Sequence, residues 1–154
     1  MEVNDLQAMV GYFLDTEKSK KENRKVWNER TKHIIIECFN EVVNRFRIGW
    51  EIGAHHNPSL ESIYLYFPPK SSEFKGIDGD KKIRLMKSGG VLNFSQTFNG
   101  KISIKIQYPT IESVKPNKDF RVIESLSPNE ITKVVVLNKI SEFLNEMAIW
   151  ESNN

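Results

Sequence analysis

The chain has 154 residues, 39% of them hydrophobic and 27% charged, with a formal net charge of +2. That is enough chain for one domain with its own core, and too little net charge to require an anionic partner. No stretch approaches the ~18 continuous apolar residues of a membrane helix, and the single cysteine, Cys38, excludes an internal disulfide or a thiolate zinc site.

No basic residue precedes the apolar part of the N-terminal segment MEVNDLQAMVGYFLDTEKSKK, so it does not read as a secretory signal. A cytoplasmic protein without membrane contact is expected. Asn4 to Leu14 reads as a short amphipathic helix. Asn4 can cap it with Gln7 three residues on, and Leu6, Met9, Val10 and Phe13 share one side. A helix this short is marginal alone. It is expected to dock on its own domain or on a partner.

Asp15 to Ser19 reads as a break, after which Ser19-Lys-Lys-Glu22 offers a second capping box. The helix it starts should run to about Arg47. Its stripe is Trp27, Thr31, Ile34, Ile35, Cys38, Phe39, Val42 and Phe46, at steps of three and four. Before Trp27 the helix is polar almost all round, so Ser19 to Val26 is expected to overhang the core. Gly49 can then stop the helix in the left-handed region.

Strands follow. Trp50 to Ala54 and Ser62 to Phe67 alternate, with Ile63, Leu65 and Phe67 to one face and Tyr64 and Tyr66 to the other. Pro68-Pro69 ends the second, because proline cannot continue a ladder. Lys70 to Asp80 reads as a polar loop, and Lys81 to Lys87 as a strand with Ile83 and Leu85 inward. Ser88-Gly89-Gly90 is a turn rather than an anion cradle, since a strand follows it and not a helix.

Val91 to Tyr108 forms a hairpin whose register can be argued. A two-residue Asn99-Gly100 turn would put the Leu92/Phe94 row and the Ile102/Ile104/Ile106 row on opposite faces. A three-residue loop, Phe98-Asn99-Gly100, sets Thr97 opposite Lys101, Phe94 opposite Ile104 and Leu92 opposite Ile106. That loop wants a left-handed residue last, where Gly100 stands. Pro109 to Asp119 is irregular, and Phe120 to Glu124 is a short edge strand.

Ser127-Pro-Asn-Glu130 starts the last helix, with serine as cap, proline next and glutamate closing the box. Val136, Leu137, Ile140, Phe143, Leu144 and Met147 form its main stripe. Ile131, Val134, Val135 and Ile149 fall on the opposite side, and a helix apolar on two sides is usually covered on both.

The order predicts one α+β domain over residues 1–154: an antiparallel meander of five to six strands, with a long N-terminal and a C-terminal helix packed on one face. Residues 1–18 stand apart as a helix and break that can serve as a docking arm. The other sheet face should show Tyr64, Tyr66, Lys82, Arg84, Lys101 and Lys105, with Asn93, Ser95, Thr97 and Gln107. Tyrosines interleaved with cations suit stacking on bases and tracking of phosphates in a single strand. The simpler reading is a solvated face, since lysine and threonine are ordinary there.

His55 and His56 are adjacent and point to opposite faces of a strand, so they do not share a metal easily. Asp78-Gly79-Asp80 lacks the remaining ligands of a calcium loop. No phosphate loop, nucleophile elbow or zinc spacing is present, and no cofactor is expected. The reading leans away from an enzyme and toward a small interaction protein, a subunit or adaptor acting through its helices. Its contact residues would be Leu6, Met9, Val10, Phe13, Val134 and Val135, toward a protein partner or a second copy. Nucleic acid bound on the Tyr/Lys/Arg face is the alternative. A metal-dependent hydrolase around Asp78, Asp80 and His55 or His56 is the third reading.

Overall fold

The computed structural model describes residues 1–57, 59–78, 81–114 and 119–153, with Phe74, Lys75, Ile77 and Asp78 described by backbone alone. The N-terminal third is a single long helical rod. A turn of 3-10 helix, Val3–Leu6, leads into α1 (Gln7–Val26), a wide π turn over Trp27–Thr31, and α2 (Lys32–Arg45). The expected break at Asp15–Ser19 is absent, and Ser19 lies inside α1. That segment holds no glycine or proline. Thr16 donates to the carbonyl of Tyr12 at 2.9 Å and Lys20 pairs with Glu17 at 3.5 Å, so an established helix simply propagates through it. The box at the start is also displaced: the Glu2 N–H donates to Asp5 Oδ2 at 2.7 Å, where Asn4 was expected to cap. Phe46 ends α2, and Gly49 is left-handed at φ 91° in the turn beyond it.

Two sheets follow. Strands β1 (Glu51–Asn57), β2 (Leu60–Tyr66), β5 (Val91–Gln96), β6 (Ile102–Gln107) and β8 (Phe120–Leu126) form an antiparallel sheet in that order. Strands β3 (Lys70–Asp78), β4 (Lys81–Ser88) and β7 (Thr110–Ile111) form a second sheet, ordered β3-β4-β7. The meander is therefore as expected, except that the strand Lys81–Lys87 leaves it. It pairs with Lys70–Asp78, the segment read as a polar loop, as a ribbon inserted between β2 and β5. Ile83 and Leu85 alternate as expected, but Ile83 is 43% exposed and Leu85 only half-buried, so the ribbon is held by pairing more than by burial of one face.

The central hairpin has the argued register: Leu92 opposite Ile106, Phe94 opposite Ile104, and a Thr97 N–H donating to the Lys101 carbonyl at 2.9 Å. Gly100 is left-handed at φ 85°. Leu92, Phe94, Ile102, Ile104 and Ile106 are fully buried beneath α2 and α3.

Helix α3 spans Lys133–Asn153, later than expected. The box at Ser127 closes only a 3-10 turn, Pro128–Glu130, with Ser127 N–H donating to Glu130 Oε1 at 3.0 Å. Ile131 then turns extended and is fully buried, so it belongs to the core and not to an outer helix side. Val136, Ile140, Phe143 and Met147 are the buried stripe. Trp27, Ile35, Cys38, Phe39 and Val42 meet it from the long rod. Trp50, Phe67 and Phe143 stack in a row, with centroids 6.1 and 5.9 Å apart.

Candidate interaction surfaces

The first surface is the head of the rod. Residues 1–15 are all exposed. Leu6 is 44% exposed, Met9 62%, Val10 54% and Phe13 60%; Val3 and Leu14 extend the same side. At 1.5 Å per residue the exposed part from Val3 to Asp15 is about 20 Å long. Anchoring begins further on. Arg24 donates to the Phe98 carbonyl at 3.2 Å, Lys20 lies 5.2 Å from the Phe98 ring centre, and the helix crosses close over Gly100. A Cβ on Gly100 would come within 2.9 Å of Asn23 Cβ, so the hairpin tip needs glycine there for room as well as for φ. The segment Ser19–Val26, expected to overhang, is thus the part that seats on the hairpin tip, and residues 1–15 are the overhang. The cations that made it look like a solvated end are what hold it.

Helix α3 offers less. Val134 is exposed and Val135 half-buried, with Ile149 exposed further along. The rod does not cover Val134. Lys133 beside it pairs with Glu41 of α2 at 3.0 Å.

The open face of the five-stranded sheet carries Tyr64 and Tyr66, their rings 5.4 Å apart, and Lys105. The Tyr64 ring lies over Gly53 of β1: a Cβ there would sit 2.3 Å from it. Tyr66 donates to Glu51 Oε2 at 3.1 Å, and that bond, followed by desolvation, raises its phenol pKa above the usual range. Lys105 lies 5.6 Å from the centre of the Phe120 ring, beside a cleft of about 200 Å³ that also meets Asn93 and Gln107. The Asn93 Oδ1 at that cleft is buried with no partner among the described residues. Lys101 stands at the exposed entry to β6. Lys82 and Arg84 are not on this face: they lie on β4, in the other sheet. The tyrosines and four cations expected together are therefore split, because the face was read by alternation and alternation cannot say which sheet a strand joins.

A third feature was missed in the sequence. A cleft of about 390 Å³ opens between the root of the β3–β4 ribbon and the C-terminal half of α3. Phe67, Pro109, Leu144 and Met147 line it, together with the charged Lys70, Lys87 and Glu151. Burial, and then the charge of Lys70, pushes the Lys87 pKa below the ordinary lysine range. The only sequence signal was Gly89-Gly90. Gly90 is left-handed at φ 81°, and a Cβ on it would press Met147 at 3.2 Å and Phe67 at 3.3 Å.

The remaining candidates disperse. His55 faces Ser62 across the sheet and His56 faces Glu61, so the two histidines do point apart. The His56 ring lies 3.8 Å from Glu61. The Asp78 side chain, Gly79 and Asp80 lie outside the described residues. Among the described residues no three His, Cys, Asp or Glu side chains gather as a metal site. Cys38 is buried, which pushes its thiol pKa up. Among the described residues no helix is long and apolar enough to cross a membrane.

No family model matches this chain, and no curated protein and no solved structure matches it.

Proposed function

We propose that this protein is a non-enzymatic interaction subunit, acting in the cytoplasm, that docks on a protein partner through the apolar side of its N-terminal arm. The carrying observation is that the arm is a formed helix whose Leu6, Met9, Val10 and Phe13 are all exposed. Each of these half-exposed side chains forgoes about half of the ~1.5–3 kcal/mol that complete burial gives. An extended apolar helix side is the shape that helix-in-groove recognition uses. Its charge suggests the partner. Residues 2–15 include Glu2, Asp5 and Asp15 and no lysine or arginine. Two such arms lying together would set carboxylates against each other, so a groove rimmed by cations fits better than a second arm. Val134 and Val135 extend the reading to α3 as a secondary contact.

Sedimentation over a wide concentration range, with proximity crosslinking from position 9, tests this. Crosslinks should converge on one partner surface for the wild type, and disappear for Leu6→Glu/Phe13→Glu with the melting temperature unchanged. Gly11→Pro should do the same, since proline inside the helix breaks it one turn upstream. Identical crosslinks from wild type and both variants, or none with the protein monomeric throughout, would overturn the proposal.

A further inference from the structure

We infer that the cleft between the β3–β4 ribbon and α3 binds a small amphipathic carboxylate, its tail between Phe67, Leu144 and Met147 and its head between Lys70 and Lys87. Three features meet there. The first is size and lining: about 390 Å³, walled mainly by apolar side chains, is in the range of small-molecule sites, where a few placed polar groups orient an otherwise apolar ligand.

The second is the lysine pair. Lys70 and Lys87 are direct partners across the β3–β4 ladder. Side chains in that relation start about 4.5–5.5 Å apart at Cβ, and like charges there repel. A ribbon that needed only to pair would gain from an acid at either position. An anion between the two lysines converts the repulsion into two charge-assisted hydrogen bonds.

The third is the local charge. Glu151 pairs with Lys87, whose ammonium also lies 5.0 Å from the Trp150 ring centre. No carboxylate pairs with Lys70 among the described residues. Among the described residues the lining therefore holds two cations against one carboxylate, an excess that one further carboxylate neutralises. The wall is built to stay open. The Phe67 N–H donates to the Gly90 carbonyl at 3.0 Å, which pins the end of β2 to the start of β5. Phe67 itself is backed by Trp50 and Phe143.

Isothermal titration with decanoate, decanol and decylamine, each below its micellar concentration, tests the site on the full chain. Decanoate should bind once and saturably, at least about tenfold tighter than decanol, a difference of about 1.4 kcal/mol. Decylamine should bind more weakly still. Lys70→Ala should weaken decanoate several-fold and leave decanol unchanged. Ala148→Trp, an exposed position on the lining, should block both ligands while the protein stays folded by circular dichroism. Absence of saturable decanoate binding would overturn the proposal. So would equal affinity for decanoate and decanol, or decanoate binding untouched by Ala148→Trp.

Discussion

The Thr31 hydroxyl donates a buried 2.8 Å hydrogen bond to the carbonyl oxygen of Pro128, joining residues 97 positions apart. It ties the wide turn of the rod to the root of the last helix. Arg30 adds a longer bond of 3.4 Å to the Asn129 carbonyl. Trp27 and Thr31, both in the π turn, are buried side by side there. Thr31→Val keeps the shape and removes the donor, leaving the Pro128 carbonyl with only the longer 3.3 Å bond from the Ile131 N–H. It should cost about 0.5–1.5 kcal/mol in urea unfolding, with Thr31→Ser recovering most of that. Equal stability of Thr31→Val and wild type would show that the bond is not needed to hold the two helices together.

Tyr64 and Gly53 should behave as a unit. The ring lies where a side chain on Gly53 would stand, an aromatic covering a strand glycine from its partner strand. Gly53→Ala must push the ring aside. Its cost should shrink when Tyr64 is already alanine, with a coupling of about 0.5–3 kcal/mol in a double-mutant cycle. Additive effects would mean that the ring is free to move, and so better suited to stack on a ligand.

Tyr108 predicts an alkaline limit on stability. It is almost fully buried, which raises its phenol pKa first, and its hydroxyl donates to Glu146 Oε2 at 3.1 Å, which raises it further; neighbouring Arg121 opposes both. A pKa higher in the folded state than in the unfolded state means that the folded chain keeps the proton longer. The resulting stability is fully present below the unfolded tyrosine pKa, about 10, and is lost as pH rises through the folded value. Chemical denaturation between about pH 9 and 12 should therefore show a shallower alkaline loss in Tyr108→Phe than in wild type.

The sequence by itself determined the local structure. The Leu92/Phe94 and Ile102/Ile104/Ile106 rows admit only one register with a common buried face, and Gly100 supplies the turn that register needs. The stripe from Trp27 to Val42 and the one from Val136 to Met147 named the core-facing sides of both long helices. These patterns repeat within a few residues, so they are readable without knowing what lies across from them. What depends on distant partners was not readable there. Asp15–Ser19 looked like a break because its composition is polar, but a helix already nucleated by residues seated on the hairpin tip continues through polar residues. Lys82 and Arg84 alternated like a sheet face, yet only strand pairing decided that their face belongs to another sheet. The cleft joins Phe67, Lys70 and Lys87 to Leu144 and Met147, more than fifty residues away along the chain. No periodicity spans that gap, because a cavity is defined by which surfaces fail to meet, and tertiary packing alone sets that.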